Sequence, residues 1–212
     1  MKNNGRRLLW TSIAVMIVLA AASCSGTRKP ITSGNLKFEV NDSMYTLVTI
    51  DSAAKPLMNS FRPSEYIVAG KDTLRDFTLG KSTAGRLNDF AGKGDVHTYT
   101  GTATQKEMSI AKVLTVKTYD DFAGWAFIEV AYINKGSKDV VINAWGNHNY
   151  GIESNSDKPG FWSFQASSTG MRKSWVLPVD TGFYQQNYLG MNDPDYGGGI
   201  PVMDLWRKDA GI

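Results

Sequence analysis

The chain has 212 residues, 42% of them hydrophobic and 11% aromatic, with a formal net charge of +3 and one cysteine. A lone cysteine excludes an intramolecular disulfide framework and a cysteine metal cluster. The charge excess belongs to Lys2, Arg6 and Arg7; beyond them 20 basic residues balance 20 acidic ones, with no dense basic stripe, so nothing favours a nucleic-acid partner.

Those three cations precede an apolar run from Leu8 to Leu19, and the small residues Ala20 to Ser23 lead into Cys24. The arrangement resembles a bacterial lipoprotein signal, with Cys24 as first mature residue and lipid acceptor, although Ala21 stands where Leu is commoner. This core of twelve residues falls short of the ~20 that a bilayer-spanning helix needs. A plain secretory signal and an N-terminal anchor helix are the alternatives, and all three export the remainder. The expected organisation is a signal over 1–23, a tether over 24–34 and a β domain over 35–212. The expected location is the bacterial outer membrane or cell envelope, periplasmic or surface-facing, with membrane contact through the lipid anchor only.

Within the domain, Leu36–Val40 alternates apolar and polar side chains, Asn41, Asp42 and Ser43 supply turn residues, and Tyr45–Ile50 resumes the alternation, which predicts a hairpin. Tyr66–Ala69, Gly70–Asp72 and Thr73–Phe77 repeat that pattern. Lys81 to Val96 is rich in Gly, Asp and Lys without a firm apolar period and reads as a long loop. Ile110–Tyr119, Trp125–Asn134 and Val140–Trp145 read as strands joined by short turns, which predicts an antiparallel meander of neighbours. No stretch beyond the export segment sustains a 3.6-residue apolar period for three turns. The predicted fold is therefore all-β, an antiparallel β-sandwich.

Hydrolysis of a glycoside needs two carboxyl groups about 5–9.5 Å apart. Asp120 with Asp121, and Asp193 with Asp195, are the nearby pairs, and both read more simply as turn residues. Asp193, Asp195 and the carbonyls of Gly197 to Gly199 offer oxygen ligands but lack regular calcium-loop spacing, so no metal and no cofactor is expected. His97 and His148 are the only histidines, too few for a zinc triad without carboxylates, and no Gly-x-Ser-x-Gly elbow accompanies them. Sugar recognition pairs a ring that stacks on the apolar sugar face with amides or imidazole for the hydroxyl fringe. Trp145, Asn147, His148 and Tyr150 supply both in one strand-to-loop segment, and Trp162 follows. The competing reading for Trp145 and Trp162 is core or interdomain packing.

Thr118–Ala126, Val130–Gly136, Tyr188–Met191 and Gly197–Arg207 carry a resemblance that spans residues 35–212. They resemble the N-terminal β-supersandwich domain, of the galactose-mutarotase-like type, of alpha-galactosidase-like glycoside hydrolases of the family 36 group. The resemblance implies a noncatalytic front domain that packs on a (β/α)8 barrel, where two aspartates act as nucleophile and acid/base. The chain has no βαβ alternation on which to build that barrel, and its end at Ile212 reads as an interrupted strand. The expectation is thus a front domain or fragment, inactive alone, whose partners are a galactoside-type glycan and an absent C-terminal catalytic barrel. Asp204, Trp206 and Arg207 would mark the interdomain boundary, with Asp204 pairing Arg207 across a bend. The rivals are a stand-alone glycan-binding or structural envelope lipoprotein, and a small hydrolase using Asp193 and Asp195.

Overall fold

In the computed structural model the described residues are 28–51, 53, 56–152, 160–165, 175–179, 203–208 and 210–211. Cys24, Asp193, Asp195 and Gly197–Gly199 lie outside them. All regular structure among these residues is β, in four antiparallel sheets, none closed into a barrel. The strands are β1 (Ile31–Ser33), β2 (Leu36–Val40), β3 (Thr46–Ile50), β4 (Tyr66–Ala69), β5 (Asp72–Leu74), β6 (Thr78–Asp89) and β7 (Gly92–Gln105). They continue as β8 (Met108–Tyr119), β9 (Phe127–Asn134), β10 (Ile142–Gly146), β11 (Phe161–Gln165), β12 (Val176–Val179), β13 (Met203–Arg207) and β14 (Ala210–Gly211). No helix among the described residues is long and apolar enough to cross a membrane.

The expected β2–β3 hairpin is present, with Phe38 opposite Val48 and Val40 opposite Thr46. Its turn is built by Asn41, whose Oδ1 accepts the N–H groups of Ser43 and Tyr45 at 3.0 and 2.9 Å. β1 adds to the same sheet, Ile31 opposite Phe38, so pairing starts inside the span that composition reads as a tether.

The reading of 81–96 as a loop is wrong. β6 and β7 form one long hairpin, paired from Thr78 opposite Thr102 down to Asp89 opposite Gly92. β-Branched Thr83 faces Thr98, and Arg86 reaches the carboxylate of Asp95 opposite it at 3.1 Å. Cross-strand pairs of this kind stabilise a strand that lacks an apolar face. Every residue of β6 is exposed or half-buried, so alternation never appears in its sequence.

β7, β8 and β9 complete that sheet in the order β6-β7-β8-β9. Ile110, Leu114 and Val116 of β8 face inward and join Phe38, Val48 and Tyr99 in the core. The apolar faces of two sheets thus bury each other, as a sandwich requires. Gly101 of β7 makes room for the β2–β3 turn: a Cβ there would lie 2.2 Å from Met44 Sδ, and Met44 is fully buried.

The meander stops one strand short. β10 leaves β9 and pairs with β4 in the three-stranded sheet β10-β4-β5. Ile67 and Leu74 lie opposite each other on the core face of that sheet, which gives β4 a buried apolar surface that β10 extends. The fourth sheet runs β12-β11-β13-β14.

Candidate carbohydrate-binding surfaces

Trp145 lies near the end of the edge strand β10, and Asn147, His148 and Tyr150 follow in the next turn, where His148 is brought against Tyr150. Gly146 sits under the ring of Tyr66, where a Cβ would lie 2.4 Å from Cε1, so any larger residue must displace the ring. The chain then turns through His148, which adopts a left-handed φ of 54°. Non-glycine residues pay strain there, and Asn, Asp and His do so most often. The turn is pinned from both sides: Asn149 donates its N–H to Ser64 O at 3.0 Å, and Tyr150 donates to His148 O at 2.8 Å. Nδ1 of His148 lies 3.0 Å from the Tyr150 hydroxyl, with the two rings tilted at 60°.

The four side chains are not equivalent. Trp145 is 70% exposed, and it stands opposite the buried Ile67 on the core face of its sheet, beyond the edge of the covered area. Asn147 and His148 reach solvent, whereas Tyr150 turns inward against the core. Burial of the inner part of the imidazole holds His148 below its ordinary value. Burial first, and the nearby Glu65 charge second, push the Tyr150 phenol well up.

Trp162 belongs elsewhere. In β11 it stands directly opposite Trp206 of β13 and Pro178 of β12. One register step along the same face, Phe164 stands opposite Asp204, and Trp175 packs on Phe164 with centroids 6.4 Å apart. Residues of opposite parity, Phe161, Ser163 and Arg207, are buried, with the Arg207 guanidinium 5.5 Å over the Phe161 ring. The sheet therefore has a covered face and an outer face of three aromatic residues with one carboxylate. The expected Asp204–Arg207 pairing is corrected by strand geometry, because residues three apart leave a strand on opposite faces. Asp204 points to the outer face and Arg207 to the covered one.

Carboxylates meet at the far end of the β6–β7 hairpin. Asp95 and Asp120 flank Arg86 at 3.1 and 2.8 Å, so both carboxylates are engaged in ion pairs. Among the described residues no group of three or more His, Cys, Asp or Glu is placed to hold a metal. His97 sits within β7, half-buried, and burial lowers its imidazole.

A buried ion pair went unnoticed in the sequence. Lys112 of β8 and Glu65, just before β4, are both fully buried, with Nζ 3.3 Å from Oε2. Nζ also donates to the carbonyls of Glu65 and Met44 at 3.0 and 3.2 Å, which uses all three ammonium protons. Glu65 Oε1 and the Tyr132 hydroxyl are buried without a protein partner. Burial is the larger influence on each ion, raising Glu65 and lowering Lys112, while each opposes that shift in the other. The pair lies directly behind the sugar-site candidate, since Glu65 follows the Ser64 whose carbonyl holds Asn149.

No protein-family model matches the chain, and no curated protein matches it.

Proposed function

We propose that the chain is the noncatalytic sandwich domain of a lipid-anchored, alpha-galactosidase-like glycoside hydrolase. In this reading it packs on a catalytic barrel and helps to shape the site for a galactoside-type glycan. The observation that carries the reading is the outer face of β11 and β13, where Trp162 stands opposite Trp206 and Asp204 lies one step away on the same face. Indoles on opposed positions of neighbouring strands supply apolar rings on which a sugar can stack, and a neighbouring carboxylate can accept its hydroxyl protons. The same surface brings a residue singled out for sugar contact together with two singled out for interdomain contact. That is the composition expected where a front domain borders a glycan cleft.

The test is calorimetric titration of the full chain with galacto-oligosaccharides, beside an assay for release of nitrophenol from nitrophenyl galactosides. The reading expects binding that Trp206→Ala weakens, and no turnover. Turnover by the chain itself, or affinity unchanged in folded Trp206→Ala and Trp162→Ala variants, would overturn it. A second reading, a stand-alone glycan-binding envelope lipoprotein, is favoured by the separate exposed indole of Trp145 with Asn147 and His148 beside it. It expects Trp145→Ala, and not Trp206→Ala, to remove affinity.

A further inference from the structure

The turn between β6 and β7 and the loop between β8 and β9 lie at the same end of the four-stranded sheet, because Gly94 pairs with Tyr119 and Lys117 with Phe127. That end carries four large apolar side chains in solvent. Phe90, at the hairpin tip, is wholly exposed, Trp125 is 64% exposed, and Phe122 and Phe127 are about two-fifths exposed. Large apolar side chains exposed together at one end of a sheet mark an interaction site.

The loop is held rather than loose. Gly124 donates its N–H to Ser33 at 3.1 Å, the Ser33 hydroxyl donates to Phe122 O at 3.3 Å, and Trp125 N–H donates to Phe122 O at 3.1 Å. The rings of Tyr119, Phe122 and Phe127 pack edge to face, with interplanar angles of 82°, 84° and 76°. Such a cluster presents edges in several directions and offers no flat platform for a sugar ring, whereas hydrocarbon has no need of one.

Charge narrows the partner further. Arg86 is paired with Asp95 and Asp120, Lys117 with Glu129, and the Tyr119 hydroxyl donates to Asp89 at 3.0 Å. Between residues 86–95 and 117–129 acidic side chains outnumber basic ones five to three. This end therefore has no net attraction for a phosphate backbone or a strongly anionic leaflet, and Arg86 and Lys117 are already paired with neighbouring carboxylates.

We propose that this aromatic end docks into the interfacial layer of a zwitterionic bilayer, with Phe90 and Trp125 as the inserting side chains. The tether supplies the geometric argument. Ser33, which clasps the β8–β9 loop, is nine residues from Cys24, a span of at most about 30 Å at ~3.3–3.6 Å per residue. A lipid on Cys24 keeps a membrane within reach of this end, and a second, protein-borne contact sets the domain's orientation on it. Trp and other amphipathic aromatics favour that interfacial depth. The proposal rests on the lipoprotein reading for its tether and goes beyond it, since that reading expects membrane contact through the acyl chains alone.

The experiment places the photo-crosslinking residue benzoylphenylalanine at Phe90 and, as control, at Val141, an exposed position beside the β7–β8 turn at the opposite end. The full chain is produced in a bacterial host, reconstituted in phosphatidylcholine vesicles and irradiated. The expected result is phospholipid adducts from position 90 and none from position 141, with adducts at a probe placed at Trp125 lost in a Phe90→Ser background. No lipid adducts at 90, equal adducts at both ends, or protein adducts in their place would overturn the proposal; the last would assign the surface to another polypeptide. Mass spectrometry of the N-terminal peptide tests the anchor separately. Acylated Cys24 without adducts at 90 removes the docking and leaves the anchor, whereas adducts without acylation remove the anchor and leave the docking.

Discussion

Breaking the buried Lys112–Glu65 pair from one side should be far more damaging than replacing it whole. Both side chains have zero exposure, and the ammonium is saturated by three acceptors drawn from two separate segments. Lys112→Met leaves the Glu65 carboxyl buried without its cation, a loss of about 3–5 kcal/mol. The double variant Lys112→Met/Glu65→Leu removes both desolvated ions and the orphan Oε1 together, and is expected to be neutral or more stable than wild type by about 1–4 kcal/mol. The pH profile follows from the shift directions. Glu65 is raised by burial, so its contribution favours folding below the ordinary carboxylate value of ~4.3 and is lost as pH rises. Lys112 is lowered by burial, so its contribution favours folding above ~10.4 and is lost as pH falls. Between those values wild type carries both penalties. Urea melts of wild type, single and double variants from pH 4 to pH 10 should therefore show the double variant's advantage largest near neutrality and shrinking toward both extremes. A single-variant loss below about 1 kcal/mol, or an advantage that does not vary with pH, would refute the argument.

Trp206→Ala and Trp162→Ala should each weaken glycan affinity by about three- to tenfold, the equivalent of ~0.5–1.5 kcal/mol of lost stacking, as read by calorimetry. Gly101→Ala should destabilise by about 1–3 kcal/mol in urea melts, because its Cβ would meet Met44 Sδ and the Thr78 backbone carbonyl, at 2.2 and 2.8 Å, inside a filled core. Gly146→Ala should cost less, since the obstructing atoms are the outer part of the half-buried Tyr66 ring, and a Tyr66→Ser background should abolish that cost. Trp145→Ala should leave stability within about 0.5 kcal/mol of wild type, because 70% of the residue is exposed and little packing is lost.

The strands that were legible are those with one face buried against the core. β2 and β3 alternate because one face of each is buried and the other only half-covered, β8 declares itself by its β-branched residues, and the β2–β3 turn carries the side chains that turns demand. β6 was misread for the opposite reason. Neither of its faces is buried, so composition followed solubility, and the information that makes it a strand lies in its partner: Thr98 for Thr83 and Asp95 for Arg86. The same limit applies to β10. Its apolar character announces a strand but not a neighbour, and the choice of β4 over β9 depends on Ile67 and Leu74, some seventy residues earlier.

Site residues divide along the same line. Trp145 to Tyr150 are legible as a group because they are neighbours in sequence, the signal being a ring beside an amide and an imidazole. Trp162 and Trp206 are 44 positions apart and were assigned different roles, although pairing sets them side by side. Lys112 was hidden more deeply. In a strand of otherwise apolar inward residues, a lysine reads as the polar member of an alternation, and only parity betrays it: position 112 shares the inward face with 110, 114 and 116. A charge on the dry face of a strand is costly unless paired, so parity alone was reason to search the chain for a buried carboxylate. Glu65 sits beside the strand that holds the Trp145 segment, which makes the pair a strut between the core and the proposed glycan surface. Apolar packing in place of such a strut is expected to keep the fold. Whether glycan affinity then survives in the stable double variant separates a residue pair that merely fills the core from one that sets the height of the loop above it.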